Sequence, residues 1–116
     1  MAPDAVAFEL RSDITAAREA RGRLSGLTGL SPADLAAVKT IVSLLVTRAM
    51  REDSPGPFGV RVAVNHPGVE GTVEAGGGWR SLEHADGSRT RDGLAVIDAF
   101  SSSWTVDGDL VRFSVS

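Results

Sequence analysis

The sequence predicts a single α+β domain whose strands and helices follow one another in the order β-α-α-β-β-α-β-β. Three observations lead to this prediction: short segments in which apolar and polar residues alternate, a helix start at Ser31-Pro32, and two sharp turns that each join a pair of strands. A length of 116 residues and a hydrophobic share of 42% suit one core of ordinary size, so we expect one domain over residues 1–116.

One strand and two helices are predicted in the first part of the chain. Residues 5–10 alternate between apolar and polar side chains, which is the period of a strand with one buried face. A first helix is predicted from Ser12 or Asp13 to about Leu27. The residues expected on its inner stripe are Ile14, Ala17, Arg21 and Leu24. Ser31 is a capping residue before Pro32, so a second helix is expected from there to about Glu52.

A hairpin and a long polar segment follow the second helix. Residues 58–65 and 69–75 are predicted as two strands, because each carries alternating valines and the His66-Pro67-Gly68 turn separates them. Residues 76–90 are a polar stretch about as long as uninterrupted loops become in compact domains, and loops of this length are usually lids, binding loops or disordered segments.

The last part of the chain is predicted to contain one short helix and a second hairpin. The helix follows Arg91-Asp92-Gly93, and its apolar residues are Leu94, Val96, Ile97 and Phe100. Residues 104–106 and 110–115 are predicted as strands around a turn at Asp107-Gly108, because Asp-Gly is a strong signal for a tight hairpin.

Composition excludes several classes of protein. A formal net charge of -3 argues against a nucleic-acid partner, which usually selects a basic surface. The absence of cysteine excludes disulfides and cysteine zinc sites. Because there is neither a signal-like N-terminus nor an apolar run near the roughly 20 residues of a membrane helix, we expect a cytoplasmic protein without a membrane partner.

Residues 41–51 read Ile-Val-Ser-Leu-Leu-Val-Thr-Arg-Ala-Met-Arg. They resemble the N box of the anti-sigma-factor serine kinases, members of the histidine-kinase-like ATPases (GHKL or Bergerat fold), whose actinobacterial form reads V-V-S-E-L-V-T-N-A-V-R-H. The matching positions are Val42, Ser43, Leu45, Val46, Thr47, Ala49 and Arg51. The family's Glu and Asn, which carry the phosphoryl-transfer and magnesium chemistry, fall on Leu44 and Arg48.

Two further segments extend the resemblance to about residues 6–115. Residues 73–79 lie where the family has V-x-D-x-G-x-G; they keep Gly77, but Ala75 replaces the Asp and Trp79 replaces the second Gly. Residues 91–100 resemble G-R-G-L-A-L-V-D-A-L, keeping Gly93 but starting with Arg91. The resemblance implies a two-layer sandwich, the histidine-kinase-like ATPase fold, with helices on one face of a mixed, mostly antiparallel sheet.

The replaced residues cannot do the family's chemistry. Leu44 has no lone pair with which to accept a proton, and the guanidinium of Arg48 repels magnesium, which binds hard oxygen ligands. The methyl group of Ala75 cannot accept a hydrogen bond from adenine. We therefore expect no catalytic residue, and a degenerate nucleotide pocket formed by Leu44, Arg48, Ala75, Gly77, Trp79, Arg91 and Gly93. No metal site is expected, because His66 and His84 have no second ligand at metal spacing.

Two roles stay open for Arg48 and two for Trp79. Arg48 could contact an anion together with the backbone amides of Gly76, Gly77 and Gly78, or it could fill the pocket by pairing with Asp92 or Glu74. Trp79 could plug the former pocket or contact a partner.

The resemblance implies a non-catalytic regulatory module that binds a sigma factor, a STAS-type anti-sigma antagonist, another regulatory protein, or a second copy of itself as a homodimer. By analogy with the family, its candidate interface lies around the first helix, at Phe8, Arg11, Ile14, Arg18 and Arg21. No cofactor is expected. The alternatives are an ATP-binding anti-sigma-factor serine/threonine kinase with ATP and magnesium, and a nucleotide sensor without turnover.

Overall fold

The computed structural model describes residues 4–51, 56–65, 68–76, 79 and 94–116. This part of the chain contains five strands and three helices in the predicted order, which confirms the α+β class. The elements are β1 (Ala5–Leu10), α1 (Ala16–Leu24), α2 (Pro32–Arg51), β2 (Phe58–Asn65), β3 (Gly68–Glu74), α3 (Leu94–Phe100), β4 (Ser103–Asp107) and β5 (Leu110–Val115).

The five strands form one sheet in the order β1-β2-β3-β5-β4. All four pairings are antiparallel, so the prediction of a mixed sheet is wrong for the described strands. Short turns account for the β2–β3 and β4–β5 pairings, because a short turn can only join strands that run in opposite directions. The β1–β2 and β3–β5 pairs are separated by helices in the chain, and their register shows that they are antiparallel as well.

The helices lie against one face of this sheet. Helix α1 contacts β1 and α2, while α2 also contacts β3, β5 and α3. The strands alternate accordingly, because successive side chains point to opposite faces. The buried residues that face the helices include Leu10, Phe58, Val60, Val62, Val69, Val73, Val111 and Phe113. The opposite face, called the open face below, carries mainly alanine and charged side chains.

Helix α1 begins later than predicted, at Ala16. The cause is a turn at Asp13, whose carboxylate accepts hydrogen bonds from the Thr15 backbone N–H at 2.9 Å and the Thr15 hydroxyl at 2.6 Å. The hydroxyl hydrogen bond is the main reason that the pKa of Asp13 is lowered. Because the folded-state pKa is lowered, the stability that the Asp13 carboxylate contributes is fully present above its unfolded-state pKa. It is lost as the pH falls from there through the lowered folded-state pKa.

The late start of α1 changes which residues it buries. The buried stripe consists of Ala16, Ala20 and Leu24, at a spacing of four residues. The predicted inner stripe is therefore wrong for Ile14, whose side chain precedes the helix and is 93% exposed, and for Arg21, which is exposed.

Helix α2 begins as predicted. The Ser31 Oγ accepts a hydrogen bond from the Asp34 N–H at 3.1 Å, which is the expected N-cap arrangement. The residues buried by α2 are Ala37, Val38, Ile41, Val42, Leu45, Val46 and Ala49. They form one continuous stripe toward the core, so the residues between them lie on the opposite side of the helix.

The C-terminal helix and hairpin are held to each other by a side-chain hydrogen bond. The Trp104 indole N–H of β4 donates to the Asp98 carboxylate of α3 at 2.6 Å. In α3, Ile97 is fully buried, whereas Phe100 is 46% exposed and so contributes little to the core. The turn between β4 and β5 contains Gly108 with φ of 61°, as the predicted Asp-Gly turn requires.

Candidate functional site

A groove lies along the side of α2 that faces away from the core, next to α1. Its volume is about 410 Å³. Among the described residues it is lined by Arg21 from α1 and by Thr40, Ser43, Leu44, Thr47, Arg48 and Arg51 from α2. Counted from Thr40, the α2 residues recur at positions i+3, i+4, i+7, i+8 and i+11, which places them on one helix face. We call this feature the α1–α2 groove.

The hydroxyl groups of the α1–α2 groove donate to the helix backbone. Thr40 donates to the Ala36 carbonyl at 2.8 Å, and Thr47 donates to the Ser43 carbonyl at 2.8 Å. The hydroxyl of Ser43 donates to the Thr40 carbonyl at 3.2 Å. A hydroxyl has one proton, so while it donates to the backbone each of these oxygens offers a ligand its lone pairs.

The hydrogen-bond donors of the α1–α2 groove are therefore its arginines. Arg21 and Arg51 are exposed, and Arg48 is half-buried. No carboxylate is found among the described residues that line the groove. An arginine is always charged and presents several N–H groups in a planar fork, so this arrangement favours an anionic ligand over a cation.

Two other residues of the predicted nucleotide pocket lie in the core. Trp79 is fully buried, and its indole N–H donates to the backbone carbonyl of Asp109 at 2.8 Å. The N–H of Ala75 donates to the same carbonyl at 2.9 Å, and Ala75 is 1% exposed. Of the two roles left open for Trp79, contact with a partner is wrong because the ring has no exposed surface.

Leu44 contacts both the hydrophobic core and the α1–α2 groove. It packs against the hydrophobic core that contains Ala75 and Trp79, and it also lines the α1–α2 groove, which neither of those residues lines. Leu44 and Arg48 are thus together in the groove as the sequence predicts, but Ala75 and Trp79 are not part of the same cavity.

Several predicted site residues lie outside the described residues. These are Gly77, Gly78, Arg91, Gly93, Asp92 and the two histidines, together with most of the 76–90 segment. An anion contact formed by Arg48 with Gly76, Gly77 and Gly78 stays a prediction. The pairing of Arg48 with Glu74 is wrong, since Glu74 lines cavities on the open face of the sheet and α2 packs against the other face.

The candidate partner interface is exposed except for one residue. Phe8 is 8% exposed, and the guanidinium carbon of Arg23 lies 5.7 Å from its ring centroid. Phe8 therefore belongs to the core, and its assignment as a contact residue is wrong. The remaining four residues, Arg11, Ile14, Arg18 and Arg21, are exposed.

The open face of the sheet contains a second, shallow cavity of about 510 Å³. Arg61 and Arg112 stand on either side of Thr72 in one cross-strand row, and Glu74 lies in the next row. The cavity is lined by Arg61, Thr72, Arg112 and Glu70 together with three alanines, Val6, Val62 and Gly71, and Glu74 lies outside this lining. Charges of both signs alternate here, so this face does not select a charged ligand as clearly as the α1–α2 groove does.

Four residues of the groove, Thr40, Ser43, Thr47 and Arg51, and one backbone acceptor are not among the predicted site residues. Arg51 and Thr40 were not assigned to a groove, although their spacing from Leu44 and Arg48 places all four on one face of α2. The Asp109 carbonyl, which holds both Ala75 and Trp79, was also missed. A backbone acceptor at a hairpin end leaves no signature in the sequence.

In the described part of the chain, no three histidine, aspartate or glutamate side chains lie close enough together to hold a metal ion. No described helix is both long enough and apolar enough to cross a membrane.

Comparison with known protein families and with characterised proteins found no match to this chain. The family resemblance of residues 41–51, 73–79 and 91–100 therefore stays a prediction.

Proposed function

We propose that this chain is a non-catalytic regulatory module that acts in the cytoplasm by binding another protein. The observation that supports this proposal best is the environment of Trp79. It stands where the family that the sequence resembles has a glycine close to the nucleotide, and its indole is fully buried and hydrogen bonded to Asp109. A large side chain in this position opposes the close approach of a ligand to the backbone.

The chemistry of the N-box positions supports the same conclusion. A general base must accept a proton, and Leu44 has no atom that can do so. Magnesium requires oxygen ligands, and no carboxylate is found among the described residues that line the groove beside Leu44. Neither phosphoryl transfer nor metal-dependent nucleotide binding is expected from these groups.

The proposed partner is a sigma factor or a STAS-type anti-sigma antagonist, with a second copy of the chain as the other candidate. This part of the proposal rests on the sequence resemblance and on exposed residues around α1. Ile14 is 93% exposed between Arg11 and Arg18, which are also exposed. A lone exposed apolar residue is ordinary. An apolar residue among arginines is more informative, because arginine is enriched in protein interfaces.

A nucleotide titration tests the proposal. ATP, ADP and GTP at millimolar concentration, with and without magnesium, are expected to leave the melting temperature of the wild type and of Arg48→Asn unchanged. A ligand that binds only the folded state stabilises it by about 2.7 kcal/mol when present at about 100 times its Kd, so a functional site would be detected.

Two results of this titration would contradict the proposal. A magnesium-dependent increase in the wild-type melting temperature, accompanied by phosphate transfer, would indicate the serine/threonine kinase. A magnesium-independent increase that Arg48→Asn abolishes would indicate a nucleotide sensor. The Arg48→Asn variant is informative because it restores the family's residue at that position without changing Leu44.

A further inference from the structure

We propose that the α1–α2 groove binds an acidic peptide segment of the partner protein. This inference rests on the proposed function, because it identifies the chemistry by which the partner is recognised. It concerns the groove between Arg21 and Arg51 rather than the exposed residues at the start of α1.

The charge of residues 11–51, which contain α1 and α2, supports an acidic partner. Residues 11–51 contain seven arginines and lysines and three acidic residues, which gives a formal charge of +4 in a chain whose net charge is -3. Such a local excess of one sign attracts oppositely charged surfaces and accelerates their association.

Each of the three acidic residues in residues 11–51 is either paired with a neighbouring residue or far from the α1–α2 groove. Asp13 accepts hydrogen bonds from Thr15, and Glu19 pairs with Arg23 at 3.8 Å. Asp34 lies in the first turn of α2, roughly 21 Å along the helix from Arg48 at 1.5 Å per residue. None of them is among the described residues that line the α1–α2 groove, so they do not neutralise Arg21 or Arg51 there.

The hydrogen-bonding pattern of the groove favours a peptide over a phosphate. The hydroxyl protons of Thr40, Ser43 and Thr47 are donated to backbone carbonyls, so in this arrangement these oxygens accept hydrogen bonds from a ligand. A fully ionised phosphate offers only acceptors and would face their lone pairs. An acidic peptide offers carboxylates to the arginines and backbone N–H groups to the hydroxyls, which satisfies both sets.

Leu44 adds an apolar surface to the groove. It is half-buried between the core and the groove lining. A peptide that places one apolar side chain between its acidic residues would cover this surface and exclude water from it, which adds hydrophobic stabilisation to the ionic contacts. The expected ligand is therefore a short segment of Asp and Glu residues interrupted by an apolar residue.

The probe for this proposal is a short fluorescent peptide of glutamate and aspartate residues interrupted by leucine, and its binding is followed by fluorescence anisotropy. A peptide with glutamine and asparagine in place of the acids is the neutral control, while inorganic phosphate and a single-stranded DNA oligonucleotide are the competitors. We expect the acidic peptide to bind, to bind more weakly at higher salt, and to be displaced poorly by phosphate or DNA.

Charge reversal locates the binding site. Arg21→Glu with Arg51→Glu is expected to weaken binding of the acidic peptide about tenfold or more, because both side chains would then repel it. The matched control is Arg61→Glu with Arg112→Glu, the same change of charge on the open face, which is expected to leave binding nearly unchanged. If charge reversal prevents folding, Arg21→Gln with Arg51→Gln makes the same test at two exposed positions.

Three results would overturn the inference: no binding of the acidic peptide, equal weakening by the open-face control, or phosphate or DNA binding as tightly as the peptide. These failures are distinct from failure of the proposed function. A purified protein partner that binds the wild type and the Arg21/Arg51 variant equally would refute the acidic-peptide site alone. A nucleotide-dependent increase in melting temperature would refute the proposed function.

Discussion

Trp79→Ala is expected to lower the free energy of unfolding by about 3–5 kcal/mol, the range found when a buried aromatic side chain is removed. Trp79 is fully buried and is the largest side chain in the core. Its removal also takes away the hydrogen bond from the indole to the Asp109 carbonyl. Urea unfolding followed by circular dichroism measures the change, provided that the transition remains two-state.

Trp79→Phe separates the two contributions of this residue. Phenylalanine keeps most of the apolar ring but has no N–H donor, while the Asp109 carbonyl retains its hydrogen bond from Ala75. The expected loss is about 1–2 kcal/mol, the size of one hydrogen bond and a small loss of packing. A loss below about 1 kcal/mol for Trp79→Ala would be typical of a surface substitution, and would mean that the indole is not part of the core.

Gly71→Ala is expected to destabilise the fold by about 1–3 kcal/mol through overpacking. Gly71 pairs directly with Phe113 across β3 and β5, and a methyl group at position 71 would lie 2.8 Å from Phe113 Cε1. The Phe113 ring is 1% exposed and cannot swing into solvent to make room. Urea unfolding of the variant measures the effect.

Gly59→Ala is the matched control for this substitution. Gly59 lies in the neighbouring strand on the open face, where an added methyl would meet Glu74 atoms at 3.7 Å, an ordinary contact distance. This variant is expected to be neutral or slightly stabilised, because alanine restricts the unfolded chain.

The double variant Gly71→Ala with Phe113→Leu should lose less unfolding free energy than the two single variants combined, since leucine lacks the clashing ring atoms. Equal effects of Gly71→Ala and Gly59→Ala would contradict the packing of Phe113 over Gly71.

Local sequence signals were sufficient where short-range chemistry determines the structure. The Ser31-Pro32 helix start, the alternation in β2 and the Asp107-Gly108 turn depend on neighbouring residues and were predicted at the right positions. The inner stripe of α1 was predicted incorrectly, because the Asp13–Thr15 hydrogen bonds form a turn, so that the helix begins after Ile14 and leaves its side chain exposed. Apolar spacing alone cannot anticipate a competing turn.

The site was predictable on one helix but not between elements. Leu44 and Arg48 share a face of α2 because of helical periodicity. Arg21 joins them because α1 packs beside α2, and nothing in the spacing of residues 12–27 determines that contact. The burial of Trp79 depends on Asp109, thirty residues away, and so required the tertiary structure.

We propose that this chain acts by binding a protein partner without a nucleotide. The most direct measurement is calorimetric titration of the chain with purified sigma factors and STAS-type antagonists, each in the presence and absence of ATP and magnesium. We expect a partner to bind with the same Kd in both conditions and without transfer of phosphate to it. Binding that requires ATP and magnesium, or phosphorylation of the partner, would show that the chain acts through a nucleotide.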